Sequence, residues 1–458
     1  MEREGREFEL DRAARAMVPY VRAGLTSFDM ADHYGSAEEV AGRFRATYAD
    51  GCTVQFLTKW VPEPGEITRQ AARAALERAL RRLGVERIEL LQFHTWRYSD
   101  PSWLDALGYL QELQDEGLIS QLGLTNVDSA HLRLALASGI RVVSNQVAFS
   151  LLDRRAAGEM SEVCRRYGVK LLAYGTLAGG LLSERWLGRD DPGVDAFATW
   201  SQLKYRRFVE AAGGWEAYQQ LLGVVAEIAR KHGVSLANVA SRYVLEQPAV
   251  GAVIIGARLG ESEHIEETGR LFAFELDEDD HAQLEQAFAA LKPLPGDCGD
   301  EYRKPPYLTA SGDLSHHLES FPPPFEVTET PDGRRCVLTG TRWEVLAGYC
   351  RAVRVGERIW VSGTTATHRG RVIGGDDAAS QTHFAIDKLE GALQSLGARL
   401  EDVVRTRVFV QRLEDWEVVA RAHGARFGHI LPANTLVQAP LVGEEYLVEI
   451  EAEAVVTG

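Results

Sequence analysis

Asp29 and Tyr34 lie within one short stretch, Phe28-Asp-Met-Ala-Asp-His-Tyr-Gly35, that opens apolar and turns polar. A phenol, which ionises near pH 10, is a poor proton donor at neutrality unless a neighbouring cation favours phenolate. Two later apolar runs supply the groups such a phenol needs: Thr53-Val-Gln-Phe-Leu-Thr-Lys59 ends on Lys59, and Ile88-Glu-Leu-Leu-Gln-Phe-His94 ends on His94. Together they suit protonation of an oxygen that is gaining charge. In such a step Tyr34 would be the general acid if the Lys59 ammonium lowers its pKa. Asp29 would hold Lys59 by a charge-assisted hydrogen bond, and His94 would orient the oxygen. Any one of them alone is more often structural: Asp29 a strand-end cap, Lys59 a solvated tip, His94 a satisfied polar group. Their joint placement at successive strand ends is what points to chemistry.

The elements that must position these residues alternate. Apolar residues at helical spacing predict helices over 11–23, 38–46, 68–83, 104–115, 129–137, 156–167, about 215–232, 236–246, 261–271 and 277–291. Between them short apolar runs predict strands at the Tyr34 stretch, 53–59, 88–94, 120–125, 141–146, 169–174 and 251–257. This pattern implies a parallel sheet, with chemistry at the carboxyl edge of its strands. A closed (β/α)8 TIM-type barrel needs eight strands, and seven are countable.

At 458 residues the chain calls for more than one core. Hydrophobic residues make up 45% and charged residues 25%, as in a soluble globular protein. The net charge of −16 argues against a nucleic-acid partner. The charged N-terminus, Met1-Glu-Arg-Glu-Gly-Arg-Glu7, has no apolar core of a signal peptide. No apolar run approaches the roughly 20 residues that span a bilayer, so no membrane partner is expected. Cys52, Cys164, Cys298, Cys336 and Cys350 are scattered, with no CxxC pair. They suggest neither a metal site nor a disulfide framework, and a reduced cytoplasmic protein is the simplest expectation.

Asp29, Tyr34, Lys59 and His94 stand in the chain order of the tetrad of the aldo-keto reductases, which residues 1–291 resemble. The resemblance implies hydride transfer between a nicotinamide and a small-molecule carbonyl. It places Thr125, Asn126 (in Gly123-Leu-Thr-Asn126) and Gln146 (in Ser144-Asn-Gln146) on the nicotinamide carboxamide, and stacks Tyr174 on the ring. The run Tyr174-Gly-Thr-Leu-Ala-Gly-Gly-Leu-Leu-Ser183 resembles the loop over the pyrophosphate, with Gly175, Thr176, Leu177 and Gly179 near phosphate oxygens. Gly256, Ala257 and Arg258 resemble the 2′-phosphate site, which favours NADPH over NADH. Glu263 and His264 correspond to adenine and ribose contacts, while Thr268 replaces the family's usual Asn. The family begins with a hairpin and a Gly-rich strand, whereas this sequence starts almost directly on the helix at Asp11. The first strand is therefore expected to be absent or displaced: either the barrel is open at that seam or the native chain is longer. Substrate choice is expected from the loops after the strands, above all 184–214.

From 292 to 333 prolines crowd and periodicity fades, which reads as an extended linker. His316-His317 within it has no partner at ligand spacing. Residues 334–458 follow with an α+β pattern. Gly348-Tyr-Cys-Arg-Ala-Val-Arg-Val-Gly356, Val361-Ser-Gly363, Leu431-Pro-Ala433 and Val448-Glu-Ile-Glu-Ala452 together resemble the Rid (YjgF/YER057c) family, whose fold is chorismate-mutase-like. That resemblance implies a trimer with pockets between subunits. Catalytic members, which hydrolyse imines and enamines, carry an arginine after Pro-Ala. Here the position is Asn434, an uncharged amide, although Glu449 matches the water-positioning glutamate. The expectation is an NADPH-dependent reductase whose substrate or product exchanges with an imine. The alternatives are a low-turnover NADPH-binding sensor or scaffold, and a Rid-type hydrolase supported by its barrel.

Overall fold

The computed structural model describes residues 9–49, 51–197, 199–257, 259–260, 263–309, 318 and 321–456. Arg258, His316 and His317 lie outside them.

The N-terminal part opens on helices α1 (Leu10–Arg15) and α2 (Val18–Arg22). One helix over 11–23 was the expectation. Pro19, at the start of α2, lacks the N–H a continuous helix would require, so the chain breaks there and restarts. Strand β1 (Ser27–Asp29) and helix α3 (Ala37–Thr47) follow, then β2 (Gln55–Trp60), α4 (Arg69–Leu83), β3 (Ile88–His94) and α5 (Ser102–Asp115). The alternation continues through β4 (Ile119–Thr125), α6 (Ser129–Ala137), β5 (Ser144–Ala148), α7 (Glu159–Tyr167) and β6 (Lys170–Tyr174). Helices α8 (Trp200–Ala211), α9 (Trp215–His232) and α10 (Leu236–Leu245) precede β7 (Val250–Ile254), and α11 (Ile265–Arg270) and α12 (Glu278–Ala289) close the unit. Among the described residues seven strands are parallel neighbours in chain order, one fewer than a closed β/α barrel has.

Local sequence explains the framing. Thr68 caps α4 by accepting from the Ala71 N–H at 3.1 Å, a contribution of about 1 kcal/mol, and Gly84 ends it in the left-handed conformation at φ 64°. Buried on nearly every residue, β3 packs Ile88, Leu91 and Phe93 into the core and carries His94 out at its carboxyl end.

The proline-rich stretch does not simply span a gap. It contains α13 (Asp300–Arg303), which lies across the barrel mouth, and β8 (Glu326–Glu329), which pairs with β9 (Arg335–Leu338) of the second domain. Beyond come α14 (Arg342–Ala347), β10 (Ala352–Val355), β11 (Arg358–Thr365), the short pair β12 (Thr367–His368) and β13 (Arg371–Val372), and α15 (Ala378–Ser395). The chain ends through β14 (Val403–Val410), α16 (Trp416–Phe427), β15 (Ala433–Gln438) and β16 (Val448–Val455). The second sheet runs β15-β14-β16-β11-β10-β9-β8, antiparallel except for β14–β15. Leu389, Leu393, Val408 and Ile450 lie in the core between this sheet and its helices.

The two domains are docked. Helix α15 packs on α6: His131 meets Asp387 at 2.9 Å, and Arg133 grips Asp377 in a bidentate fork at 2.5 and 2.7 Å. Ser99 reaches Gln394 at 2.7 Å, and His368 reaches the buried Asp105 at 2.9 Å. Gly391 has no side chain because one there would collide with the Ser99 carbonyl. Among the described residues no helix is long and apolar enough to cross a membrane.

Candidate active site

Strands β1, β2 and β3 bring three of the four tetrad candidates to adjacent positions on one sheet edge. Lys59 is 4% exposed, and its ammonium donates to Asp29 at 2.5 Å and to the Met30 carbonyl at 2.9 Å. A buried ammonium without a carboxylate would be costly, so the pair is obligatory. The other Asp29 oxygen accepts from Gln92 at 3.0 Å and Gln146 at 2.8 Å. Tyr34, on the loop after β1, is 50% exposed, with its ring 5.3 Å from the Lys59 ammonium and His33 edge-on at 4.7 Å. Its hydroxyl has no partner among the described residues.

His94 is 3% exposed, and its Nε2 is buried without a hydrogen-bond partner among the described residues. Burial, and then the charge of Arg303, push its pKa well below the usual range, so the imidazole is neutral. Nδ1 stands 3.3 Å from the Thr125 carbonyl, an acceptor. Keeping that bond puts the proton on Nδ1 and a lone pair on Nε2; moving the proton to Nε2 gives up one long bond, about 1 kcal/mol, and makes Nε2 a donor. The aromatic walls over His94 are Trp96 at 4.4 Å and Tyr302 at 6.1 Å.

The residues expected around a nicotinamide are brought together only in part. Asn126 and Tyr174 meet: the tyrosine hydroxyl donates to the Asn126 side-chain oxygen at 2.8 Å. Gln146 is turned toward Asp29 and Gln92, and the Thr125 hydroxyl donates to the Gln146 carbonyl at 3.2 Å. Asn126 holds φ 55°, a left-handed conformation asparagine tolerates better than most residues. In the following loop Gly175 has φ 73°, and a side chain there would collide with the Tyr205 hydroxyl of α8. The N–H groups of Thr176 and Leu177 donate to no acceptor among the described residues. Free amides beside left-handed glycines, next to a carboxamide and an aromatic ring, fit a diphosphate and a nicotinamide. Gly179 holds φ 66° under Tyr205 and Ser201. Gly256 and Ala257 are exposed beyond β7, as is His264, which contacts Glu267 at 3.2 Å; burial, and then the exposed Glu263, raise the Tyr20 pKa.

Four residues that sequence reasoning missed, Lys204, Gly299, Tyr302 and Arg303, complete the mouth. Lys204 of α8 is 6% exposed and reaches the Tyr302 hydroxyl at 2.8 Å and that of Tyr174 at 3.5 Å. Arg303 donates to the carbonyls of Thr95 and Asn126, both at 2.5 Å. Gly299 makes that approach possible, since a side chain there would strike the Asn126 carbonyl. The available signal was the cluster Gly299-Asp-Glu-Tyr-Arg-Lys304 among the prolines, and its partners lie too far away in sequence to be read.

In the second domain Asn434 donates to the buried Thr406 hydroxyl at 2.9 Å, on the helix-facing side of the sheet. Glu449 alternates with core residues Val448 and Ile450 and so faces the open side, packed over Gly363 at a bulge in β11. Within one chain the two do not converge. Burial, and then Glu451, raise the Glu449 pKa.

The sequence model described as "Aldo/keto reductase family" matches residues 1–289, and the one described as "Endoribonuclease L-PSP" matches residues 339–456. Protein tas of Escherichia coli (strain K12) is 31% identical over 212 residues, covering 42% of this chain and 59% of its own length. The chain thus spans about three fifths of that relative. A glycerol dehydrogenase structure from Gluconobacter oxydans aligns over 63% of this chain and 87% of its own, at 24% identity and a TM-score of 0.51, and so shares the barrel fold. A YjgF/YER057c/UK114 family member from Mycobacterium tuberculosis is 41% identical over 27% of this chain and all of its own, at a TM-score of 0.25.

Proposed function

The chain belongs to the aldo/keto reductase family through residues 1–289 and to the YjgF/YER057c/UK114 family through residues 339–456, and we propose that it is an oxidoreductase that reduces a small-molecule aldehyde or ketone with NADPH. The observation that carries this reading is the buried Lys59–Asp29 pair at 2.5 Å with the Tyr34 ring 5.3 Å from its ammonium. When bound, the dinucleotide supplies the hydride. Tyr34 gives its phenolic proton to the carbonyl oxygen, and Lys59 stabilises the charge left on the phenolate. Asp29 keeps Lys59 at that position. His94, with its proton on Nε2, directs the substrate oxygen toward Tyr34. Asn126 and Gln146 read the carboxamide, Tyr174 supports one face of the ring, and the Thr176 and Leu177 amides meet the diphosphate. Gly256, Ala257, Arg258, Glu263 and His264 take the adenosine end, with Arg258 the basis for preferring NADPH.

The second domain acts as an assembly module, joining three chains through the open face of its sheet. Asn434 carries no charge to grip a substrate carboxylate, which sets imine hydrolysis there behind reduction in the barrel. The fusion still favours a carbonyl substrate or product in equilibrium with an imine or enamine. A second reading, a low-turnover NADPH-binding sensor, is favoured by one observation: Tyr174 already bonds Asn126, with Tyr302 and Lys204 beside it.

The test is oxidation of NADPH by the purified protein with aldehydes, ketones and cyclic imines, alongside Tyr34→Phe. Turnover that falls at least about a hundredfold in the variant, with NADPH binding kept, is the expected result. Tight NADPH binding without turnover would move the assignment to the sensor, and no binding would overturn both.

A further inference from the structure

We propose that the second domain positions the nicotinamide end of the barrel's cofactor pocket, with Asp387 as the positioning residue that reaches across the domain boundary and Asn126 as the residue held in place. The inference rests on the reductase reading above and assigns the docked domain a part in it.

The contacts run without a gap. Asp387, fully buried in α15, takes Arg426 on one carboxylate oxygen at 2.5 Å and His131 Nε2 on the other at 2.9 Å. The second nitrogen of His131 stands 2.6 Å from Asp128, which also caps α6 by accepting the His131 backbone N–H at 2.8 Å. The imidazole is therefore clamped between a carboxylate from each domain. Burial alone would discharge it, but Asp128 and Asp387 together raise its pKa to about 9 and keep it cationic.

Tyr98 lies flat on this imidazolium, with ring centres 3.4 Å apart and planes 6° apart, and its hydroxyl accepts the Asp128 N–H at 3.1 Å. Arg303 sits over the Tyr98 ring, 4.6 Å from its centre, and donates to the Asn126 and Thr95 carbonyls. Asn126 is one of only four non-glycine residues with positive φ among the described residues. Such a conformation persists where the surroundings over-determine it. Asp387, His131, Tyr98 and Arg303 supply that constraint from one side, while Asn145 holds the neighbouring Val127 carbonyl at 2.8 Å from the other. Arg133–Asp377 fixes the same helix further along, so α6 has two charged anchors in the second domain.

The experiment compares full-length wild type, Asp387→Asn and Asp387→Glu for binding of NADPH and of 2′,5′-ADP, which shares the adenosine end and lacks the nicotinamide. Asp387→Asn should weaken NADPH about tenfold and leave 2′,5′-ADP unchanged, and Asp387→Glu should recover part of the loss. Equal NADPH affinity in wild type and Asp387→Asn would overturn the proposal. So would parallel loss of both ligands in a variant that is still folded, since the adenosine end would then be affected as much as the nicotinamide end. Should Asp387→Asn not fold, His131→Gln is measured in the same way with the same expectations. Wild type that binds neither ligand would overturn the reductase reading instead.

Discussion

Gln146 donates its amide hydrogen to Asp29 at 2.8 Å, which ties a residue suited to reading a carboxamide to the carboxylate that holds Lys59. Asp29 thus accepts from Lys59, Gln92 and Gln146, and spends both oxygens on the site. Its loss acts first on a buried cation. Asp29→Asn should cost about 3–5 kcal/mol in denaturant unfolding, because it strands Lys59 unpaired. Asp29→Asn with Lys59→Met should recover most of that stability and none of the turnover. A double variant as unstable as the single one would show that Lys59 is not the reason.

Domain docking should carry a pH signature. His131 has a folded pKa raised to about 9 against an unfolded value near 6.5, so its contribution is complete below pH 6.5 and is lost as pH rises through 9. The amount at stake is about 3 kcal/mol. His383, whose ring lies 6.2 Å from His131, is driven the other way by burial and by His131, to about 4. Its contribution is complete above pH 6.5 and lost as pH falls through 4. Unfolding free energy measured across pH should therefore peak near 6.5, and His131→Gln should flatten the alkaline limb and, by removing the charge that helps hold His383 down, also soften the acidic one.

Gly299→Ala tests the segment across the barrel mouth. The residue holds φ 83°, and a methyl group there meets the Asn126 carbonyl. A loss of about 2 kcal/mol is expected, with limited proteolysis opening between Pro295 and Thr309 before the domains separate. Unchanged cleavage would show that Arg303 holds the segment without Gly299.

Val404 and Val437 are 48% and 42% exposed on β14 and β15. If the sheet joins three chains, Val404→Glu should shift the protein from trimer to monomer in size measurements at unchanged NADPH affinity. A wild type that is already monomeric would remove the assembly role.

The barrel strands were legible because each is a run of apolar residues ending in a polar one, as in Ile88–His94, and burial makes that pattern obligatory. Strand β15 was not, since its residues are almost all exposed and offer no alternation. The placement of Asp29, Lys59 and His94 at the carboxyl ends of neighbouring strands was equally legible. What could not be read is everything long-range: Arg303 on Asn126, Lys204 beside Tyr302 and Asp387 on His131 are contacts between segments that say nothing about each other locally. The turn of Gln146 toward Asp29 belongs to the same class, because the side chain had two sets of partners within reach and packing chose between them.

The segment that crosses the barrel mouth follows every barrel strand in the chain, and the helix braced on α6 follows it in turn. A chain emerging from a ribosome can therefore lay down all seven parallel strands while Asn126 still lacks Arg303 above it and His131 still lacks Asp387. Completion of the mouth is a late event of synthesis. A product released early, after the last barrel helix, would carry Asp29, Tyr34, Lys59 and His94 and yet leave that loop unbraced.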